Sequence, residues 1–225
     1  MGSHLVNVSL QKNWVSEGEQ VKLFEQEFAT KFGFKHAVMT SSGTTAGVVA
    51  WSAIREMSGK TWGEGQVITP ACAFVATASC ILSAGLIPRF VDIDLATLNM
   101  ETERASGFAK DVVGCQFVAQ MGKLEGIDYW RNECTLANPP IPLLIDACEA
   151  HGATWQGQGI SQLCDVATFS FYAAHIIVAG EGGMVCTNNG EIAELCLSIK
   201  SHGRPVGTDY FSFDRMGTNA KANDL

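Results

Sequence analysis

The stretch AVMTSSGTTAGVVAWSAIREMSG, residues 37–59, contains the pattern on which the fold prediction depends. Ala37 to Thr40 has the apolar character of a short strand, and a Ser-Ser-Gly-Thr-Thr turn follows it. After the turn, apolar residues recur at helical spacing from Val49 to Met57, and Gly59 closes the helix. A strand that runs through a glycine-containing turn into a helix is the repeating unit of an α/β protein.

The same alternation of strands and helices extends in both directions from this unit. Ahead of it, Ser16 and Glu19 form a predicted capping box for a helix that Gly33 ends. Behind it, strand-like and helical segments alternate, which predicts a mostly parallel α/β sheet. The further predicted strands are residues 67–69, 89–93, 112–118, 143–145, 166–171 and 184–187, and the last two are expected to pair antiparallel.

Composition excludes several classes of function. The chain has 225 residues, of which 47% are hydrophobic, and a net charge of −8 at pH 7 with no basic run. We therefore expect no binding to nucleic acid or to an anionic membrane surface. No N-terminal apolar run resembles a signal peptide, and no stretch reaches the ~20 apolar residues of a membrane span. We expect a cytoplasmic protein.

The eight cysteines are scattered and contain no Cys-x-x-Cys pair. A zinc site, a disulfide framework or an iron–sulfur cluster requires closer clustering, so no metal site is predicted. Small buried thiols in a reducing compartment are the expected state of these residues.

Polar side chains at the predicted strand ends are the candidates for a binding site, because ligands of such sheets lie outside the carboxyl ends of the strands. Ser42-Gly43-Thr44 opens a helix and suits a phosphate, although an ordinary capped turn has the same pattern. Asp146 either caps the next helix or pairs with a protonated ring nitrogen. Phe74 either stacks on a flat ligand or belongs to the core. His151 is predicted to be a satisfied structural histidine, whereas His175, beside the Gly-Glu-Gly-Gly turn, could be a filler, a ligand or a replacement for a more reactive residue.

Seven stretches in order carry a resemblance that extends from about Asn13 to the last residue. They are WVSEGEQVKLFEQEFATKFGFKHAV, SSGTTAG, VITPACAFVATASCILSAGLIPRFVDIDLATLNM, LLIDACEAHGATWQG, DVATFSFY, GEGGMVCTN and MGTNAKANDL. The chain resembles the DegT/DnrJ/EryC1/StrS sugar aminotransferase family of fold-type I pyridoxal phosphate (PLP) enzymes. The resemblance implies the large domain of that fold, a mostly parallel seven-stranded sheet sandwiched by helices, over residues 16–225. Residues 1–15 would form an N-terminal segment, and the small C-terminal domain of the family would be absent.

The resemblance also assigns a role to each candidate residue. It implies that Gly43, Thr44 and Ser170 bind the cofactor phosphate, that Phe74 stacks on the pyridine ring and that Asp146 pairs with the ring nitrogen. Glu149 stands near the ring hydroxyl, where the family usually has Gln. Asn219 matches the asparagine that reaches the phosphate of the neighbouring subunit in a homodimer. The stretch from Val118 to Gly122 lacks a histidine that the family often carries, so no substrate contact is predicted there.

His175 stands where the family has its catalytic lysine. A small branch with histidine at this position resembles nucleotide-sugar 3-dehydratases, which use the aminated cofactor, pyridoxamine phosphate (PMP), on 4-keto-6-deoxyhexoses. Histidine there removes a proton from the methylene carbon of the cofactor, and the C3 hydroxyl leaves. An imidazole with its usual pKa of about 6.5 is a competent base near neutral pH. Ile176 departs from this branch, which often has a second histidine there.

Three functions therefore remain open from the sequence. The first is C3 dehydration of a nucleotide-linked 4-keto-6-deoxyhexose in deoxysugar biosynthesis, with His175 as the base. The second is amination of a 4-keto or 3-keto nucleotide sugar by a degenerate or incomplete member of the family. The third is a noncatalytic protein that binds a cofactor or a sugar nucleotide, or that only dimerises.

Overall fold

A computed structural model describes residue 11 and residues 15–102, 110–207 and 211–224. Seven strands form one sheet, with helices on both faces, and a two-stranded hairpin lies apart from it. The predicted N-terminal segment, residues 1–15, falls almost entirely outside the described residues. The sheet strands are β1 (His36–Thr40), β2 (Gln66–Pro70), β3 (Ile87–Val91), β4 (Val112–Val118), β5 (Leu143–Asp146), β8 (Val166–Ser170) and β9 (Gly183–Thr187), and the hairpin strands are β6 (Thr154–Trp155) and β7 (Gln158–Gly159).

Helices alternate with the strands as the sequence predicts, although no helix was predicted over residues 127–136 or 160–163. A short 3-10 helix covers Gln120–Gly122. The α-helices are α1 (Glu19–Phe32), α2 (Gly43–Met57), α3 (Val75–Ser83), α4 (Ile127–Leu136), α5 (Ile160–Leu163) and α6 (Gly190–Ile199).

The sheet has the order β1-β9-β8-β5-β4-β2-β3. Strand β9 runs antiparallel to both of its neighbours, and the other pairs from β8 to β3 are parallel, so six strands point in one direction. This confirms the mostly parallel sheet and the antiparallel pairing of the last two strands. Because the carboxyl ends of six strands meet at one edge, the polar residues that follow them are brought together there.

Two apolar clusters cover the two faces of the sheet. One contains buried residues of α1, α4 and α5, including Phe28 and Trp130. The other contains buried residues of α2, α3 and α6, including Trp51 and Ile81. The sheet is therefore covered on both faces, which explains why its strands read as nearly continuous apolar runs.

The predicted capping box at Ser16 is wrong. Gly18 is the N-cap of α1 and has no side chain to accept a hydrogen bond, and Ser16 instead forms a β-bridge with Asn223. The carboxylate of Asp224 accepts hydrogen bonds from the N–H groups of Gly18 at 2.8 Å and Val21 at 3.1 Å. A residue about two hundred positions away thus supplies the acceptor that the local sequence was expected to provide.

Lys200 is a buried lysine that ties three elements together. It follows the last residue of α6, and only 2% of its side chain is exposed. Its amine forms ion pairs with Glu17 and with Glu25, the latter at 3.2 Å, and donates a hydrogen bond to the carbonyl of Met39 at 3.0 Å. The two carboxylates balance the buried charge, so Lys200 has a structural role.

The cysteine prediction holds for six of the eight residues. Cys148 is only partly buried and Cys72 is exposed, because both follow strand ends and do not lie within elements. No helix among the described residues is long and apolar enough to cross a membrane. Within the same residues, no group of three or more His, Cys, Asp or Glu side chains could hold a metal ion.

Candidate functional site

A cavity of about 380 Å³ opens at the carboxyl edge of the sheet, and we call it the carboxyl-edge cavity. Its lining comes from the ends of β4, β5 and β8 and the residues that follow β4 and β5, from the N-terminal ends of α2 and α3 with their N-cap residues, and from the loop after β8. Of the eight residues to which the resemblance assigned a role, seven line this cavity and Asn219 does not. The seven are Gly43, Thr44, Phe74, Asp146, Glu149, Ser170 and His175.

The turn between β1 and α2 is locked by its own side chains. Ser42 is the N-cap of α2, and its hydroxyl accepts a hydrogen bond from the N–H of Thr45 at 3.1 Å. The hydroxyl of Thr45 accepts one in return from the N–H of Ser42 at 2.9 Å. Gly43, the first residue of the helix, lies so close to Ser170 that a Cβ at Gly43 would stand 2.6 Å from the Ser170 Cβ. The result is a fixed helix start with hydroxyls beside it, which suits a phosphate.

Asp146 ends β5 and is partly buried in the cavity. Its carboxylate accepts a hydrogen bond from the N–H of Cys148 at 3.2 Å and a long one from the hydroxyl of Thr77 at 3.4 Å. Burial raises the pKa of Asp146, and the charge of Glu149 adds to that effect. No lysine or arginine pairs with it within the part of the chain that the structure describes. A carboxylate in this state stabilises a cationic or proton-bearing group that enters the cavity.

Phe74 occupies the N-cap position of α3, and 74% of its surface is exposed. The alternative that Phe74 belongs to the core is therefore wrong. The strand before it ends at Pro70, and the helix after it begins at Val75, so the ring is held at the edge of the sheet. An exposed aromatic ring at a cavity can stack on a flat ligand.

His175 lies in the loop between β8 and β9. Two backbone hydrogen bonds close the base of this loop. Phe171 donates its N–H to the carbonyl of Gly182 at 2.9 Å, and Ala179 donates to the carbonyl of Phe171 at 2.9 Å. The His175 N–H donates to the carbonyl of Tyr172 at 2.9 Å, and the two side-chain rings lie 6.0 Å apart. This loop carries the imidazole into the cavity.

No lysine or arginine is among the described residues that line the carboxyl-edge cavity. Lys200 is engaged by two glutamates in the interior, as shown above. The amine of Lys123 lies 3.5 Å from the carbonyl of Ala96, and the amine of Lys221 donates to the side chain of Asn219 at 2.6 Å. His175 is therefore the basic side chain that the described chain brings to this cavity.

Glu149 forms a hydrogen bond with the short helix after β4, which contributes to the cavity wall. Its carboxylate accepts a hydrogen bond from the N–H of Met121 at 2.8 Å. Met121 has a φ of 52° within the short helix after β4, and Gln120 beside it lines the cavity. The sequence predicted no contact in this segment, because the histidine typical of the resemblance is absent there.

Several other cavity residues escaped the sequence analysis. Thr77 stands one helical turn after Phe74, so the helical spacing in α3 was the signal that could have found it. Tyr172 and Glu181 lie in the loop that carries His175, and although Glu181 belongs to the Gly-Glu-Gly-Gly turn, the sequence assigned neither residue a role. The residues that the structure adds to the lining are Ala76, Thr77, Val118, Ala119, Gln120, Cys148, Tyr172, Ala174 and Glu181, and Ser42 joins the predicted turn there.

Asn219 is exposed and lies outside the cavity of its own chain. It forms a β-bridge with Ser201, and the carbonyl of the next residue, Ala220, accepts a hydrogen bond from the N–H of Ser41 at 2.9 Å. The segment thus runs beside the residue that precedes the Ser42-Gly43-Thr44 turn.

His151 is not the satisfied structural histidine that the sequence predicted. Both of its ring nitrogens are buried without a hydrogen-bond partner among the described residues. Its ring packs among Phe28, Phe169 and Phe171, at centroid distances of 6.3, 5.2 and 5.9 Å. Burial, and to a lesser extent the charge of His175, lowers the pKa of His151 to about 4. The imidazole is therefore neutral near pH 7.

A second and larger cavity, of about 1010 Å³, lies at the opposite edge of the sheet, and we call it the amino-edge groove. Its walls include Lys60, Lys110 and the segment from Pro139 to Pro142. Arg131 pairs there with Asp165 at 2.5 Å, and the same carboxylate accepts a hydrogen bond from the N–H of Leu143 at 2.8 Å. That pair fixes the start of β5, which is a structural task.

A family model described as the DegT/DnrJ/EryC1/StrS aminotransferase family matches residues 3–225. Among curated relatives, GDP-perosamine synthase of Vibrio cholerae is 32% identical over 98% of this chain and 58% of its own length. GDP-4-keto-6-deoxy-D-mannose 3-dehydratase of Escherichia coli O55:H7 is 33% identical over 83% of this chain and 48% of its own length. The chain thus spans about half the length of the curated relatives it matches.

The fold agrees with that of solved relatives. The structure of GDP-4-keto-6-deoxy-D-mannose-3-dehydratase from E. coli with bound hydrated PLP superposes with a TM-score of 0.87. It is 29% identical, and the match covers 99% of this chain and 61% of that one. This confirms the prediction of the fold-type I α/β architecture.

Proposed function

We propose, from the premise that this chain belongs to the DegT/DnrJ/EryC1/StrS aminotransferase family, that it binds PMP and catalyses C3 dehydration of a nucleotide-linked 4-keto-6-deoxyhexose. The family depends on PLP, and solved relatives hold PLP or PMP. The observation that carries the proposal is His175, which lines a cavity whose described residues include no lysine. The matched 3-dehydratases make this reaction a known one within the family.

The cavity fits such a cofactor on three independent features. The start of α2 and the Ser170 hydroxyl form a cradle at Gly43 that a Cβ would fill. The exposed Phe74 ring stands at the cavity, and Asp146 is a carboxylate without a cationic partner among the described residues. When bound, the cofactor would supply an electron-accepting ring. Gly43, Thr44 and Ser170 would hold its phosphate, Phe74 would stack on the ring, and Asp146 would pair with the ring nitrogen.

His175 would act as the general base. In that role its imidazole would take a proton at the methylene carbon of the cofactor and would return it to the C3 hydroxyl, which would leave as water. An imidazole cannot take the place of a lysine amine in a covalent link to the cofactor aldehyde. The cofactor would therefore be held by hydrogen bonds, stacking and charge alone, which leaves the ligand exchangeable.

A second copy of the chain would complete the site in a homodimer. Asn219 is exposed, lies outside the cavity of its own chain and runs beside Ser41. In this arrangement Asn219 would reach the cofactor phosphate bound by the partner. Met121 and Ile176 are exposed apolar side chains near the cavity. Their exposure supports the proposal that a second copy of the chain covers the opening of the cavity.

Sugar amination is the second candidate, and it is favoured by the similarity to GDP-perosamine synthase. Incubation with PMP and GDP-4-keto-6-deoxymannose separates the candidates by mass spectrometry of the sugar product. Loss of the C3 oxygen supports dehydration, whereas an amino sugar supports transamination. No product and no cofactor binding would leave the noncatalytic function.

Two further measurements test the role of His175. Borohydride treatment after addition of PLP should give no reduced lysine adduct in the cavity, and such an adduct would refute the histidine-base mechanism. The substitution His175→Lys should introduce transaminase activity that the parent chain lacks, which would show that the rest of the site is intact.

A further inference from the structure

We propose that Glu149 makes the carboxyl-edge cavity selective for the aminated form of the cofactor, by favouring a ligand that carries an ammonium group over an uncharged one of the same shape. The inference rests on the proposed cofactor site and adds a specificity-determining residue to it. It concerns which form of the ligand is bound, and it does not require turnover.

The charges of the cavity support this selectivity. Three carboxylates line it, those of Asp146, Glu149 and Glu181, and no lysine or arginine does so among the described residues. The anionic phosphate would be held by the α2 start and by hydroxyl groups, and Asp146 would pair with the ring nitrogen, so the charges of Glu149 and Glu181 would have no lysine or arginine partner in the described lining. An alkylamine is protonated near neutral pH, so the aminomethyl group of PMP brings one positive charge into this region.

Glu149, like Asp146, is held in position by a hydrogen bond from a neighbouring residue. Its oxygen accepts the N–H of Met121 at 2.8 Å, which holds the side chain at the cavity. Its negative charge also contributes to the raised pKa values of Asp146 and Cys148, so it acts on groups at the inner end of the cavity. Asp146 would be occupied by the ring nitrogen of the bound cofactor, which leaves Glu149 to act on the charge of the other ring substituents.

Glu149 stands where the family usually has glutamine, and the proposal gives this difference a physical consequence, namely a negative charge in the cavity. A glutamine oxygen would accept the same N–H of Met121, but the amide carries no charge. The exchange Glu149→Gln therefore removes the charge and keeps the contact to the wall. It separates an electrostatic role of Glu149 from a merely structural one.

PMP and pyridoxine phosphate form the matched pair of probes. They differ at one position, where an aminomethyl group replaces a hydroxymethyl group, and neither contains an aldehyde that would react with surface lysines. Calorimetric titration of each probe gives the ratio of the two dissociation constants. A unit charge about 8 Å away changes a dissociation constant about twofold at the dielectric constant of water and about thirtyfold at an effective value of about 20.

Because Glu149 is exposed to solvent in the free chain, we expect a value between these limits. Wild-type protein should bind PMP more tightly than pyridoxine phosphate, and Glu149→Gln should reduce that preference about fivefold. Added salt should reduce the preference of the wild type and have less effect on the variant. The matched control is Glu64→Gln, because Glu64 also accepts a backbone N–H, that of Thr61 at 3.0 Å, at a site remote from the cavity. It should leave the ratio unchanged.

An unchanged ratio in Glu149→Gln, or equal weakening of both probes, would overturn the proposal, because a structural role alone affects both ligands alike. Failure of the wild type to bind either probe would overturn it together with the proposed cofactor site. A chain that shows the expected ratio but forms no dehydrated sugar would contradict only the proposed reaction.

Discussion

The two edges of the sheet differ in size and chemistry, although both open into a cavity. The amino-edge groove is the larger, at about 1010 Å³ against about 380 Å³, and it is lined by lysines, prolines and the Arg131–Asp165 pair. The carboxyl-edge cavity is smaller and collects a helix start, an exposed phenylalanine, a partly buried carboxylate and an imidazole. Cavity volume does not determine where the candidate site residues meet. The direction of the strands does, because it determines which residues meet at which edge.

The two edges also differ in whether their buried or partly buried carboxylates have a cationic partner. In the amino-edge groove, Asp165 is satisfied by Arg131 and by the N–H of Leu143. In the carboxyl-edge cavity, Asp146 has a raised pKa and no cationic partner among the described residues. Satisfied charges stabilise a fold, whereas an uncompensated carboxylate is prepared for a ligand.

The largest expected difference between the two edges comes from His175. Replacing it with Ala removes the proposed base, and we expect dehydration of GDP-4-keto-6-deoxymannose to slow by about a thousandfold while PMP affinity changes little. Steady-state rates and calorimetric titration with PMP measure the two effects. The control His36→Ala, at the start of β1, should retain wild-type rates. Equal activity in both variants would show that His175 is not the base.

Gly43 tests the phosphate cradle. The substitution Gly43→Ala places a methyl group 2.6 Å from the Ser170 Cβ, so the turn must shift, and PMP binding should weaken by about 2 kcal/mol, or about thirtyfold. Gly190→Ala is the matched control, since Gly190 also begins a helix but its added Cβ would meet only the His36 ring, at 3.7 Å. Unaltered PMP affinity in Gly43→Ala would place the phosphate elsewhere.

His151 should make the free energy of unfolding of the chain depend on pH. Its pKa of about 4 in the folded chain lies below the usual value, so the unfolded chain binds more protons between about pH 4 and about pH 6.5. The free energy of unfolding should therefore fall as the pH is lowered through this window, by about 1.5 kcal/mol after allowance for the partial exposure of the ring. Urea titrations at pH 7.5 and pH 4.5 measure the change.

The variant His151→Phe identifies the source of this effect. A phenyl ring needs no hydrogen-bond partner among Phe28, Phe169 and Phe171, so the variant should lose most of the decrease in stability at low pH. His36→Phe should retain it. The same decrease in wild type and in His151→Phe would assign the proton uptake to other groups.

The smallest effect is expected at the amino-edge groove. Arg131→Met leaves Asp165 with its hydrogen bond from the N–H of Leu143, and the two side chains are 39% and 34% exposed. The free energy of unfolding should fall by only about 0.5 kcal/mol, with PMP affinity unchanged. Urea denaturation and calorimetry check both. A loss of PMP affinity would break the comparison, because it would show that the two edges are coupled.

Much of the fold could be predicted because its signals are local. The alternation of apolar strands and helices, and glycines such as Gly33 at the helix end, follow from periodicity and backbone conformation over a few residues. The cap of α1 could not be predicted, since its acceptor is Asp224, at the far end of the chain. The unsatisfied state of His151 could not be predicted either, because its ring packs among Phe28 of α1, Phe169 of β8 and Phe171, which follows β8.

The candidate site divides in the same way. The sequence by itself determined the strand-end residues, from Gly43 to His175, because parallel strands bring their carboxyl ends to one edge whatever the details of packing. Only the tertiary structure decided that Phe74 is exposed, that Asp146 has no cationic partner among the described residues and that Glu149 is bound to the N–H of Met121. Exposure, charge compensation and hydrogen bonding are properties of neighbours in space, and residues far apart in the chain supply those neighbours.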